Sequence, residues 1–386
     1  MPWKDSRMDD RKAFIEAWLK RNGSVTELCA RFCVSRKTGH KWIARFHQGG
    51  LAGLVDQTKA PRHRPHAVSE AVADAIVNLR KEHRFWGPKK LRAVLEKKSP
   101  EVRWPALSTI GEILKRRGLV EERRRRLRTP TSTQPLAAAT DSNVVWSADF
   151  KGCFRVAGRW CHPLTITDNF SRLLIRVQAV KGTSEEAALP VFESAFHEYG
   201  LPWRIRTDNG APFASKAIAG LSRLSIWWVK LGITPERIQP GRPDENGRHE
   251  RMHRTLKRET ASPPCPNEDE QQRTFDAFRR DFNEERPHEA LGQETPASRY
   301  TQSRRPFPSV LGDPDYPDDF IPRRVHPRGL LSWHHHQLAL GPLLTNEVVG
   351  FEAVAEDTWQ LWFGPVYLGL CRRVRKGQME LIKNTG

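Results

Sequence analysis

Three acidic side chains, Asp149, Asp208 and Glu250, sit in the last two thirds of this 386-residue chain in settings that suit metal-ligating carboxylates. Asp149 follows the apolar run Val144-Val145-Trp146-Ser147-Ala148, which predicts a buried strand. Asp208 follows Trp203-Arg204-Ile205-Arg206-Thr207, a second short strand, and opens the turn Asp208-Asn209-Gly210. Glu250 comes just after Pro240-Gly241-Arg242-Pro243-Asp244-Glu245-Asn246-Gly247, a breaker-rich stretch from which a helix starts. Two strand-end carboxylates and a third on a helix can converge on a pair of hard cations. Such a pair clamps the attacking and leaving oxygens of a phosphodiester, the chemistry that cuts or joins nucleic acid. An all-oxygen ligand set suits two Mg²⁺ ions, with Mn²⁺ able to substitute, whereas zinc would call for His or Cys. Taken singly, Asp208 is also an ordinary turn residue and Glu250 an exposed helix charge. Asp149 is harder to explain as structure, because a buried carboxylate is costly. Asp168, in Asp168-Asn169-Phe170-Ser171, has the chemistry of a turn and is given a structural role. Glu245 stays open as a rival third ligand.

The elements that must position these groups follow from periodicity. Strands are predicted over 144–154, 161–167 and 173–180, with turns at Gly158 and Asp168-Asn169. A helix over 185–199, the short strand before Asp208, a helix over 215–230, a strand over 233–238 and the Glu250 helix complete the series. On that last helix Glu250, Arg254 and Lys257 fall at i, i+4 and i+7, on one face.

The chain's front is different in character. Residues 1–130 carry 31 Lys/Arg against 14 Asp/Glu, a net +17 that leaves only +2 of the total +19 for the rest. A charge so placed points to a polyanion, and to nucleic acid before membrane. Helix 12–20 precedes Ser24-Val25-Thr26-Glu27, which has the form of a capping box, and Ser35 would cap a helix over 36–46. The short connection makes a helix-turn-helix, with Cys33 where the turn glycine usually stands. Trp42, Ile43 and Phe46 would pack inward, leaving Arg36, Lys37, His40 and Lys41 for a major groove. A basic three-helix bundle that reads no groove is the blander alternative. A second helical unit shows helices over 71–83, 88–97 and 108–117. The run Arg123, Arg124, Arg125, Arg126 and Arg128 follows it, suited to phosphate contacts.

The expected domains are a helix-turn-helix domain over 1–60, a second such unit over 66–128, a linker over 129–142 and a catalytic core over 143–300. A proline-rich linker over 301–329, with too many prolines for regular structure, leads to a small β domain over 330–386. Cys29 and Cys33 are read as small core residues, and the six cysteines show no secreted framework. The three histidines His334, His335 and His336, taken as lying in a strand, would alternate faces and share no ion. With 38% apolar residues, no membrane-length apolar run and no signal-peptide pattern, the expected location is a reducing cytoplasm.

The segments WSADF (146–150), TDNG (207–210) and PGRPDENGRHERMHRTLK (240–257) resemble the catalytic core shared by retroviral integrases and bacterial insertion-sequence transposases. The similarity runs from about Asn143 to Arg299. It includes Arg286-Pro287-His288-Glu289-Ala290-Leu291-Gly292 followed by Thr295-Pro296, typical of the transposase branch. Phe85-Trp86-Gly87-Pro88 resembles that branch's second helix-turn-helix unit. The resemblance implies a multidomain chain: α-helical helix-turn-helix units, an α/β ribonuclease-H-like integrase core and a small C-terminal β-barrel-like domain. It implies that Asp149 bridges two Mg²⁺ ions, that Asp208 holds one and Glu250 the other, and that Arg254 and Lys257 grip the DNA end. It further implies a transposase that binds the terminal inverted repeats of its element as double-stranded DNA, assembles as a homo-oligomer on it, nicks the ends and joins the freed 3′-OH to target DNA. Asp208 and Glu250 are 42 positions apart, longer than in the retroviral enzymes, and the extra length is expected between 215 and 230. Two other readings stay open: a helix-turn-helix regulator with a non-catalytic core, and a plain structure-selective nuclease.

Overall fold

A computed structural model describes residues 8–56, 68–120, 136–239, 247–374 and 379–384, in two compact units, Met1–Ser69 and Glu70–Gly386. In the first unit α1 (Met8–Leu19), α2 (Val25–Arg31) and α3 (Arg36–Gly49) enclose Phe14, Ile15, Leu28, Cys29, Trp42, Ile43 and Leu54. The capping box forms: Glu27 N–H donates to Ser24 Oγ at 3.3 Å and Ser24 N–H to Glu27 Oε2 at 2.8 Å. Ser35 caps α3 by accepting from Thr38 N–H at 3.1 Å. The two cysteines part company, which corrects the expectation for one of them. Cys29 is core, whereas Cys33 is exposed at φ 53°, the left-handed turn position that glycine favours. Gly39 lets α3 approach α2 closely, since a Cβ there would lie 2.4 Å from Cys29 Sγ.

The second unit begins with α4 (Glu70–Glu82), α5 (Pro88–Lys98) and α6 (Leu107–Arg116), closed around Ile76, Trp86, Leu91, Leu95, Ile110 and Leu114. Pro88 at the first turn of α5 suits a position whose N–H has no helical partner. This helical lobe lies against the larger body: His83 stacks on Trp86 and pairs with Asp281 at 3.2 Å, Lys97 with Glu294 at 3.1 Å, and Lys89 with Glu289.

The body is a mixed sheet of β1 (Val145–Phe150), β2 (Phe154–Val156), β3 (Arg159–Asp168), β4 (Leu174–Val180), β5 (Arg204–Thr207) and β6 (Thr234–Arg237). The order is β4-β3-β1-β5-β6, with β2 on the outer part of β3; β1, β3 and β4 are antiparallel, and β5 and β6 run parallel to β1. That is the pattern the resemblance predicts. The sheet's two faces divide the residues by alternation. Trp146, Ala148, Leu164 and Ile166 face α7 (Glu185–Tyr199) and α8 (Arg223–Lys230), with Phe192, Phe196, Phe213 and Trp228. Val156, Cys161, Leu174 and Val177 face α9 (Gly247–Thr260) and α10 (Glu268–Arg280), with Met252, Leu256, Phe275 and Phe278.

Three expectations need correction here. The strand predicted over 144–154 is two strands, broken where Gly152 takes φ 66°. The helix predicted over 215–230 is only α8, because Ala219 and Gly220 adopt φ 52° and 64° and Ser222 caps a fresh start. Gly220 suits this turn because its φ of 64° lies in the left-handed region that a side chain disfavours. Helix α10, capped by Asn267, was not anticipated at all.

A short helix α11 (Pro296–Arg299) leads to the C-terminal sheet of β7 (Phe320–Arg324), β10 (Val348–Ala355), β11 (Thr358–Phe363), β12 (Val366–Arg373) and β13 (Met379–Lys383). A separate hairpin, β8 (Leu330–Trp333) and β9 (His336–Ala339), packs on it. The five strands run β13-β12-β11-β10-β7 as an open antiparallel sheet, so a barrel is not formed among the described residues. Two more corrections follow. Strand β7 lies inside the stretch read as irregular, and it tolerates Pro322 because it is an edge strand. His334 and His335 take φ 44° and 64° at the hairpin turn and are not strand residues. This sheet domain is tied to the body through Ile218, Ala219 and Leu221, which enter its core. Arg305, in the preceding segment, donates to Pro202 O at 2.6 Å and stacks over Trp203.

Candidate active site

Asp149 lies near the end of β1, opposite Thr165 of β3, on the sheet face that meets α9. Ser147 pairs with Arg206 across the parallel β1–β5 ladder, so two residues further along each chain Asp149 and Asp208 reach the same level and face. Gly210 N–H donates to Asp208 Oδ1 at 3.1 Å, which orients that carboxylate at its turn. Glu250 lies in the first turn of α9. Two of the carboxylates act on the third. The Asp149 carboxyl is pushed up from 3.8 to about 7, first by burial, then by the negative charge of Asp208, with a smaller push from Glu250. Phe150 N–H and the Lys151 ammonium oppose the shift without cancelling it. A buried carboxyl raised by two neighbouring acids is a group that a cation would relieve.

Glu250, Arg254 and Lys257 line one open cleft of about 520 Å³ together with Lys151, His253, Arg258 and Ser262. The helical spacing read from sequence thus brings an acid and two cations to one surface. Arg258 also lies 3.8 Å over the Phe85 ring, which joins the helical lobe to α9.

The adjoining stripe of α9 was missed. His249, Met252, His253 and Leu256 recur at i, i+3, i+4 and i+7, the spacing of a buried face, and all four are buried. The two histidine rings meet edge to face at 4.5 Å. Both place Nε2 at 2.6 Å from Thr165 Oγ1, and Thr167 Oγ1 lies 3.2 Å from His249 Nδ1. Thr165 in turn donates to the Asp149 carbonyl at 3.0 Å. Burial holds the His249 ring neutral, with its pKa lowered to about 3, and lowers that of His253 as well. The Asp149, His249 and His253 ligand atoms all lie within 4.8 Å of one another, so the surroundings of Asp149 are not the all-oxygen set expected.

Asp168 is the turn organiser expected. It is fully buried, accepting from Ser171 Oγ at 2.6 Å, Ser171 N at 2.8 Å and Asn143 N at 2.8 Å. Arg36, Lys37, His40 and Lys41 are all exposed on α3. Arg123, Arg124, Arg125 and Arg126 lie outside the described residues, as does Glu245. No helix among the described residues is long and apolar enough to cross a membrane.

Family models agree with this domain order. Residues 139–243 and 231–296 each match an Integrase core domain, and residues 5–55 and 38–114 each match a Homeodomain-like domain. The chain is 28% identical over 283 residues to an uncharacterized 39.2 kDa protein of insertion element IS476 from Xanthomonas euvesicatoria, spanning 73% of this chain and 79% of that one. It is 29% identical over 254 residues to an uncharacterized 31.7 kDa protein of insertion element IS407 from Burkholderia multivorans, spanning 64% and 87%. The HTLV-2 integrase catalytic core domain, solved in complex with magnesium, is 17% identical with a TM-score of 0.34, spanning 42% of this chain and 99% of that one.

Proposed function

We propose that this chain, built as an insertion-sequence transposase with an integrase-type core, nicks the ends of its element and joins them to target DNA at Asp149, Asp208 and Glu250. The observation that carries the reading is the Asp149 carboxyl, raised to about 7 by burial and by the negative charges of Asp208 and Glu250, the last of which lines a cleft with Lys151, Arg254 and Lys257. Asp149, Asp208 and Glu250 would hold two Mg²⁺ ions, for which carboxylate oxygens are suitable ligands. Such ions, when bound, neutralise the phosphodiester and lower the barrier for both the entering and the departing oxygen.

The chain's own residues do the rest. The exposed cations of α3 read the element's terminal repeats in the major groove, and the basic run at 123–126 adds phosphate contacts. Arg254 and Lys257 bind phosphates beside Glu250 and set the scissile bond against the carboxylates, which positions the substrate without reading its sequence. In the first step a water oxygen bonds to phosphorus and the 3′ oxygen leaves as a free 3′-OH. In the second, that 3′-OH bonds to a target phosphorus and displaces the target's own 3′ oxygen. Several copies of the chain acting on the paired ends would bring both to one target.

A regulator with a non-catalytic core is disfavoured by the same carboxylate cluster, which costs stability and serves no purpose without a cation. The deciding experiment is strand transfer of a labelled element end into a plasmid. Joined product in Mg²⁺ supports the transposase; cleavage without joining would indicate a nuclease, and binding with neither would indicate the regulator.

A further inference from the structure

The protons around Thr165 can be placed one at a time. Thr165 has one hydroxyl hydrogen and two lone pairs. Its hydrogen goes to the Asp149 carbonyl at 3.0 Å, which can only accept. Both histidine Nε2 atoms, each at 2.6 Å, must then donate to Thr165 Oγ1 and fill its two lone pairs. An imidazole that carries one proton, on Nε2, has a lone pair at Nδ1. That of His249 accepts from the Thr167 hydroxyl at 3.2 Å. That of His253 faces Asp149 Oδ2 at 3.8 Å, too far for a hydrogen bond. A divalent cation between this nitrogen and the Asp149 carboxylate oxygen would attract both. Two bonds of about 2.1 Å to one ion span at most about 4.2 Å, so both atoms can reach the same ion. His253 also lines the cleft that Glu250 lines.

We propose that His253 Nδ1 is a ligand of the ion held by Asp149, making that ion's site a mixed nitrogen–oxygen one. The inference rests on the reading of Asp149 as a metal ligand. His249 and Thr165 are positioning residues in this arrangement: they fix the tautomer and the plane of the His253 ring, as outer-sphere partners of ligating histidines do. A nitrogen donor favours later, softer divalent ions, so the site should prefer Mn²⁺ over Mg²⁺ by more than an all-carboxylate site would.

The test is electron spin-echo envelope modulation on the full chain loaded with MnCl₂, which detects nitrogen bonded to Mn²⁺ without any need for activity. Directly bound ¹⁴N is expected in the unmodified protein. It should be lost in His253→Gln and kept in His249→Gln, while Mn²⁺ affinity in His253→Gln falls on the order of tenfold. The unmodified spectrum decides the question even if a histidine variant fails to fold. Mn²⁺ binding that depends on Asp149, as judged by its loss in Asp149→Asn, but shows no bound nitrogen would overturn the assignment of His253 alone. Mn²⁺ binding that survives Asp149→Asn would overturn the reading of Asp149 beneath it.

Discussion

Replacing Asp149 by Asn should make the metal-free protein more stable at neutral pH and blind to divalent ions. The Asp149 carboxyl is raised from 3.8 to about 7, a shift of about three units, and each unit corresponds to about 1.36 kcal/mol. The ceiling is therefore about 4 kcal/mol. The side chain is 20% exposed, so solvent screens part of it and about 2–4 kcal/mol is the working range. The sign follows from proton binding. Between the unfolded and folded pKa values the folded protein holds a proton that the unfolded chain has released, so folding stability falls as pH rises. The penalty is absent below about pH 4 and complete above about pH 7. An amide carries no charge and escapes it. Saturating Mg²⁺ should do for the parent what the amide does for the variant, adding about 2.7 kcal/mol at a hundredfold excess over Kd. Urea unfolding followed by tryptophan fluorescence suits the measurement, because Trp146 and Trp228 are fully buried in the core that carries the site. Parent and variant would be compared at about pH 4 and about pH 8, with and without MgCl₂. The reasoning fails if the Asn variant is no more stable than the parent near pH 8 without metal, or if Mg²⁺ stabilises both alike.

Glu250→Gln should keep DNA binding and lose both nicking and joining, while Glu245→Gln keeps substantial activity; the reverse pattern in a strand-transfer gel would move the third ligand to Glu245. Activity should need Mg²⁺ or Mn²⁺ and be suppressed by Ca²⁺, whose looser coordination holds the reacting oxygens less strictly; robust cleavage in chelator would exclude the metal chemistry. Deleting residues 1–69 should abolish specific end binding in a footprint while leaving metal-dependent nicking intact, whereas deletion to 128 also strips α4–α6 from the body and should lower solubility. Arg254→Ala and Lys257→Ala should weaken engagement of the DNA end by about tenfold each, and a joining rate unchanged in both would reduce that helix face to solvent surface.

Much of the candidate site was legible because its signals are local. Asp149 stands at the end of an apolar strand run, Asp208 at a turn after another, and Glu250 shares a helical spacing with Arg254 and Lys257. Capping chemistry likewise marked α2 and α3 through Ser24, Glu27 and Ser35. What periodicity cannot report is a left-handed turn inside an apolar stretch. Ala219 and Gly220 interrupt the expected helix because their turn enters the core of the C-terminal sheet, a contact with residues more than a hundred positions away. The same holds for sheet closure: whether β7 and β13 pair is settled by the curvature of the strands between them, and they do not pair. The His249 and His253 stripe was visible as spacing, but its meaning was not. Only the packing of α9 on β3 brings both rings onto Thr165 and turns His253 Nδ1 toward Asp149. Residue type and spacing along the chain determined which groups could do metal chemistry. Which of them meet, and with which atoms facing, was decided by strand register and helix docking, because hydrogen bonds and coordination depend on ångström-scale placement that one-dimensional spacing does not carry.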